Sequence, residues 1–264
     1  MRAEAKSFFL ATRFLRRPKR EAVEAIYALF RTADNLADEP EFDDAQRRDG
    51  LSTIDRTLKR IRDPACVCKA PWFPAVRRAF ARFPIAIEDA SRLIDACRRD
   101  VDGITCETMD DLERYAAAIA GTVGRCSMPI LGASDSDSLD RAERLGIALQ
   151  LTNILRDREA DRAIGREYLP RSTPAKPEAE LLRDVARRAH IYYREASVLA
   201  PRLPNDGSRV ALLAASNLYE GVLDDLERRN FDSRGRAQLS GFEKLRRMLR
   251  SVNAAFRGRG RVTS

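Results

Sequence analysis

The chain has 264 residues, 44% of them hydrophobic and 33% charged, with a formal net charge of +8. That length supports a sizeable core in one large or two small domains, and the apolar content excludes general disorder. Five cysteines (Cys66, Cys68, Cys97, Cys106 and Cys126) make no paired CxxC units and His190 is the only histidine, which argues against structural zinc, a disulfide framework and Ser-His-Asp chemistry.

From the N-terminus, MRAEAKSFFLATRFLRRPKR is basic and amphipathic, the pattern of a transit peptide, without the apolar run of a secretory signal. Beyond it, apolar residues recur with a period near 3.6 and no alternating strand pattern intervenes. Helices are predicted over roughly 20–38, 43–62, 86–100, 109–131, 139–162, 178–199, 207–228 and 241–255, within a total of about eight to ten. The breakers between them are Pro18, the Pro40 region, Pro64 to Pro74, GASDSDS at 132–138, PRSTPAKP at 170–177, PRLPNDGS at 201–208 and NFDSRG at 230–235. With no internal repeat and no long linker, a single all-α domain over 1–264 is expected, its helices surrounding a central cavity. The longest weakly polar stretch, AAAIAGTVG, ends at Arg125, short of the ~18 residues of a membrane span.

The first of these helices carries RTADNLADE, with Asp34 and Asp38 four residues apart, and the helix over 139–162 carries NILRDREAD, with Asp157 and Asp161 at the same spacing. On a helix, carboxylates at i and i+4 share one face, roughly 6 Å apart along the axis. Such pairs are common on solvated helices. Here they follow the apolar stretches AVEAIYALF and LGIALQLTNIL, so each sits on a helix that also builds core, where a carboxylate needs a cation or donors. Two facing pairs suit Mg²⁺, which keeps much of its water and takes further ligands from substrate phosphates. The substrate so implied is a diphosphate. Arg156 beside Asp157, and the turn with Gly165, Arg166 and Tyr168 that follows, fit the same chemistry, the arginines reaching diphosphate oxygens or else belonging to a salt-bridge network.

Within 109–131, Gly121 and Gly124 interrupt a strongly helical segment at about 1 kcal/mol each, for close helix packing or for a ligand. His190, beside Tyr192 and Tyr193, reads as a partly buried helix residue. Basic residues are scattered apart from FLRRPKR and FRGRGRVTS, so nucleic acid is not an expected partner. The unpaired cysteines make a reducing cytoplasm the expected location, and a basic protein that handles a greasy anion leaves peripheral contact at a membrane surface open.

Taken together, the segments KSFFLATRFL, EAIYALFRTADNLADE, DVDGITCETMDDLERYAAAIAGTVG, LGIALQLTNILRDREADRAIGREYLP and GRAQLSGFEKLRRML resemble the squalene/phytoene synthase family across nearly the whole chain. The resemblance implies the all-α isoprenoid synthase fold and an Mg²⁺-dependent prenyltransferase, with two or three ions. Asp34 and Asp38 match the first aspartate-rich motif; Asn153, Asp157 and Asp161 match the second, as metal ligands. By the same match Ser7, Arg31 and Arg156 contact diphosphate, Tyr115 acts near the carbocation, and Phe8, Tyr27, Gln150 and Tyr219 line the substrate cavity. It also places KSFFLATRF in the first helix of the folded enzyme rather than in a transit peptide.

The activity implied is ionisation of an allylic isoprenyl diphosphate and its head-to-head coupling to a second prenyl diphosphate. Four positions depart from the family pattern: Asn35 and Ala160 replace acidic residues, Ala117 replaces a bulky one, and Thr105-Cys106 stand where Arg-Tyr is common. These changes are expected to widen or depolarise parts of the pocket. They keep open a prenyl transfer to an aromatic, non-isoprenoid acceptor; a non-catalytic assembly factor is a third reading, at odds with the retained aspartates. NADPH use is left open without support from the sequence: there is no GxGxxG fingerprint, and relatives that use NADPH do not need one.

Overall fold

The computed structural model describes residues 9–257 apart from 102, 104, 172–176 and 233–238. Among the described residues there are helices and turns but no strand. Residues 9–12 are helical and lead to α1 (Arg17–Ala37), where Pro18 occupies the opening turn and its missing N–H forfeits no helix bond. Ala22, Val23, Ile26, Leu29, Phe30 and Ala33 form the buried stripe of α1. Next, α2 (Asp44–Lys59) starts in a capping box in which the Asp43 carboxylate accepts from the Gln46 N–H at 2.8 Å and the Gln46 amide oxygen accepts from the Asp43 N–H at 2.9 Å.

A helix not among those predicted, α3 (Phe73–Arg82), begins at the end of the Pro64 to Pro74 breaker stretch and runs on past it. Pro74 lies at its N-terminal turn, where proline starts a helix instead of ending one. After α4 (Ile87–Val101), the single helix predicted over 109–131 is three pieces: α5 (Met109–Ala116), a π-helical turn (Ala117–Gly121) and α6 (Thr122–Leu131).

The long helix α7 (Ser136–Ala163) is capped by Asp135, whose carboxylate accepts from the Ser138 N–H at 3.0 Å. The predicted 178–199 helix breaks at Arg194 into α8 (Glu178–Tyr193) and α9 (Glu195–Leu199), followed by a short 3₁₀ turn (Ala200–Arg202). The described elements end with α10 (Ser208–Arg228) and α11 (Gly241–Arg257).

α7 is the spine. The Thr152 hydroxyl meets the Tyr193 hydroxyl at 2.7 Å and ties it to α8. On its other side it lies directly against the π turn and α6. A Cβ added at Gly146 would stand 2.3 Å from the Ala120 carbonyl oxygen, and one at Gly124 would stand 2.2 Å from that of Ala142. Gly124 and Gly146 therefore serve the close backbone approach that brings these helices together, and the same contact makes them part of a cavity wall. No helix among the described residues is long and apolar enough to cross a membrane.

Candidate active site

Both aspartate pairs open into one cavity of about 340 Å³. From α1 it is lined by Val23, Tyr27, Phe30, Arg31, Asp34 and Asp38, and from α7 by Leu145, Leu149, Gln150, Asn153, Asp157 and Asp161, each set spaced to occupy one helix face. In both helices the carboxylates sit toward the C-terminal end, where the helix dipole adds its own negative partial charge. Away from the carboxylates the lining turns apolar, with Leu15 ahead of α1, Met128 and Leu131 from α6 and Ala211 and Leu212 from α10. The stretch from Val23 to Asp38 spans roughly 22 Å at about 1.5 Å per residue. An anionic mouth thus leads into a long apolar bore.

Three arginines already answer that negative charge. Arg31 Nη1 donates to Asp34 Oδ2 at 2.7 Å. Arg156 grips Asp157 with two bonds, Nη2 to Oδ2 at 2.6 Å and Nε to Oδ1 at 3.1 Å. Arg166, on the turn after α7, reaches across to both carboxylate oxygens of Asp38, with Nη1 to Oδ2 at 3.3 Å. Arg156 is buried and does not line the cavity, so it acts on the site by fixing Asp157.

One atom is left over. Asn153 donates from Nδ2 to Gln150 Oε1 at 3.4 Å, which sets the amide so that its Oδ1 is buried with no hydrogen-bond partner. A buried acceptor without a donor costs about 1–3 kcal/mol, and it is satisfied by a cation as well as by a proton donor. Asn153 stands one helical turn from Asp157 on the cavity face. An amide oxygen beside four carboxylates is a hard, all-oxygen donor set, and the residues present fit Mg²⁺.

Toward the apolar side, Tyr115 stacks on Tyr168 with ring centroids 5.0 Å apart and planes inclined by 15°. Burial pushes the Tyr115 phenol well above its ordinary range, with the Asp100 charge adding to the shift. Asp100, at the end of α4, is hydrogen-bonded to Tyr115. Burial raises its carboxyl to about 7; Arg166 opposes the shift, while Asp34 and Asp38 reinforce it. The Cys97 thiol, which lines the cavity one turn earlier, is pushed up by burial and then by the charges of Asp34, Asp100 and Asp38.

Of the residues singled out from the sequence, Asp34, Asp38, Asp157, Asp161, Tyr115, Tyr27, Arg31, Gln150, Asn153 and Tyr219 converge on this one cavity. Ser7 and Phe8 lie outside the described residues. Arg166 and Tyr168, on the turn that follows Asp161 in GREYLP, line the cavity too, whereas Asp100 was missed as a site residue. The expectation that the four departures reshape the pocket is corrected. Asn35, Ala160 and Thr105 are exposed, Cys106 is buried elsewhere, and none of these positions, nor Ala117, lines the cavity.

His190, with Asp224 and Glu227, forms a separate cluster of ligand-type atoms. Its ring nitrogens face Glu220 at 3.5 Å and Glu227 at 2.9 Å, and these hydrogen bonds, Glu220's foremost, raise its pKa to about 9 despite burial. Asp224 is held by Arg247 at 2.6 Å. A protonated imidazole between glutamates is an ion-pair cluster tying α8 to α10.

An all-helical bundle with two aspartate-bearing helices walling one apolar bore is the architecture of the isoprenoid synthases. A dehydrosqualene synthase solved in complex with a ligand superimposes with a TM-score of 0.82 at 29% identity, over 94% of this chain and 91% of that one. The squalene/phytoene synthase family description matches residues 1–243. A phytoene synthase of Mycobacterium bovis is 35% identical over 240 residues, covering 84% of this chain and 78% of that protein. The 15-cis-phytoene synthase of Synechococcus elongatus is 31% identical over 274 residues, covering 91% and 86%. The chain belongs to the squalene/phytoene synthase family, and with it to the enzymes that transfer prenyl groups and release diphosphate.

Proposed function

We propose that this enzyme ionises an allylic isoprenyl diphosphate in an Mg²⁺-dependent step and couples it head to head with a second prenyl diphosphate, as in phytoene or presqualene diphosphate formation. The observation that carries this reading is the convergence of both aspartate pairs and the unpartnered Asn153 Oδ1 on the mouth of one apolar cavity. Asp34, Asp38, Asn153, Asp157 and Asp161 are the residues to hold the ions. Bound there, Mg²⁺ supplies Lewis-acid neutralisation of the diphosphate leaving group.

The chain's own groups do the rest. Arg31 and Arg166 line the mouth, where their guanidinium groups would take diphosphate oxygens in bidentate fashion. Arg156 keeps Asp157 in place by its two hydrogen bonds. The allylic carbon–oxygen bond breaks with its electron pair leaving on the diphosphate. Leu93, Ile119, Val123, Leu145 and Leu149 keep water from the resulting cation, and the faces of Tyr27 and the Tyr115–Tyr168 stack stabilise its charge. The double bond of the second prenyl diphosphate adds to the cation, and loss of a proton closes a cyclopropyl diphosphate. That product ionises in turn at the same mouth. A further proton loss ends in a phytoene-type triene, whereas hydride from NADPH would end in squalene.

The test is to incubate purified protein and Mg²⁺ with geranyl, farnesyl or geranylgeranyl diphosphate, with and without NADPH and an aromatic acceptor, and to identify products by mass spectrometry. A product carrying two prenyl groups from two diphosphates supports the proposal. A product carrying one prenyl group on the aromatic acceptor overturns head-to-head coupling in favour of acceptor prenylation.

A further inference from the structure

α11 shows its apolar stripe to the outside. It packs on α10 through Ser251 and Ala255, both buried: the Asn217 Nδ2 donates to Ser251 Oγ at 2.8 Å. Arg247 pins the same side by donating to Asp224 at 2.6 Å and to the Asn217 carbonyl at 3.0 Å. At about 100° per residue, Phe242, Leu245 and Leu249 fall within roughly 60° of one another, on the side of the helix turned away from Ser251. Their exposures are 78%, 55% and 56%. An ordinary surface helix buries such a stripe.

Basic side chains border it. Arg246 and Arg250 are exposed and follow the stripe along one edge. The helix carries Lys244, Arg246, Arg247, Arg250 and Arg257 against a single carboxylate, Glu243, which Arg246 and Arg247 share. Apolar side chains beside a helix edge that keeps an excess of basic residues after Arg246 pairs with Glu243, on a protein of net charge +8, match the two requirements of a helix lying in an anionic lipid interface. A second copy of this chain fits the face less well, because a two-fold contact would set Arg246 and Arg250 against their own equivalents.

The placement is also useful. Asn217 contacts Ser251 and Asp224 contacts Arg247, so α11 runs antiparallel to α10. On α10 the cavity lining proceeds from Ala211 through Ala215 to Tyr219, and the Phe242 end of α11 lies beyond Tyr219. The stripe therefore begins at the end of the bundle that carries the aspartate mouth. We propose that the Phe242–Leu245–Leu249 face of α11, with Arg246 and Arg250, docks the enzyme on an anionic membrane surface with its cavity mouth toward the lipid from which a prenyl diphosphate is drawn. The docking surface stands whether or not the coupling reaction proposed above is correct.

The experiment is co-sedimentation of the full chain with phosphatidylglycerol vesicles and with phosphatidylcholine vesicles, at low and high salt. The wild type is expected to bind the anionic vesicles and to be released by salt. Arg246→Gln with Arg250→Gln should weaken partition roughly thirtyfold, about fivefold per charge. Leu245→Ser with Leu249→Ser should weaken it at least tenfold while leaving turnover of substrate in free solution unchanged, which shows that the variant is folded. Wild-type partition in either double variant overturns the proposal, as does equal binding to both lipids. So does a wild-type dimer that the Leu variant splits, because the stripe then belongs to a second copy. Vesicle binding by a protein that forms no prenyl product would contradict the catalytic reading alone.

Discussion

Replacing Asn153 by leucine should make the metal-free protein more stable and the enzyme inactive. The Asn153 Oδ1 is buried without a partner, while its Nδ2 makes only a long 3.4 Å bond to Gln150. Relieving an unsatisfied buried acceptor is worth about 1–3 kcal/mol, and losing the weak amide bond returns roughly 0.5–1 kcal/mol of that. The net gain is about 1 kcal/mol or somewhat more, which for a chain of this size raises Tm by roughly 2–4 °C. Scanning calorimetry without metal reads this directly. With Mg²⁺ and inorganic diphosphate at about a hundred times their apparent Kd, the wild type should gain roughly 2.7 kcal/mol by mass action, whereas the variant gains little. The order of stability then reverses between the two conditions. A variant that is less stable than the wild type without metal, yet equally stabilised by Mg²⁺ and diphosphate, would refute the assignment of Oδ1 as a ligand.

Three further outcomes are expected. Arg166→Gln should lower kcat/KM at least tenfold, because a charge-assisted contact is worth about 1.5–3 kcal/mol, while Tm moves little since the Arg166–Asp38 pair is partly exposed; unchanged kinetics would remove Arg166 from the site. Gly146→Val should lower Tm by several degrees, since its Cβ would meet the Ala120 carbonyl oxygen at 2.3 Å and overpacking costs about 1–3 kcal/mol; a wild-type melting curve would show that the approach of the π turn to α7 is not tight. His190 has a folded-state pKa raised to about 9, so its ion pairs stabilise the fold fully below its unfolded value near 6.5 and lose that contribution as pH rises through about 9. The stability difference between wild type and His190→Gln, followed by urea unfolding, should therefore shrink over that window; a difference constant from pH 6 to 10 would contradict it.

The aspartate pairs were legible because helix geometry alone puts i and i+4 on one face, and both helices declare themselves by an apolar period. α3 was not legible for a local reason: Pro74 reads as a breaker unless it is recognised as the first turn of a helix. The π turn at Ala117–Gly121 lies where the Gly146 backbone closely approaches Ala120, a tertiary contact that no window on the sequence contains. The site role of Asp100 escaped for the same reason, and the turn with Arg166 and Tyr168 was legible only as a neighbour of the second pair, without its partner across the cavity. Arg166 matters through Asp38, 128 residues away, and Asp100 through Tyr115 and the aspartates of α1. The departures at Asn35 and Ala160 mislead in the opposite direction: they adjoin the motifs in sequence, but the helix turns them outward to solvent.

The most direct test of the two-pair site is the turnover of Asp157→Asn beside its fold. Asp157 lines the cavity, is held by Arg156 and stands opposite the Asp34–Asp38 pair, so the neutral, nearly isosteric amide should leave the helical circular-dichroism spectrum intact and abolish Mg²⁺-dependent release of diphosphate from an allylic prenyl diphosphate. A folded Asp157→Asn protein that releases diphosphate at the wild-type rate would contradict the assignment of the two aspartate pairs as the ionising site.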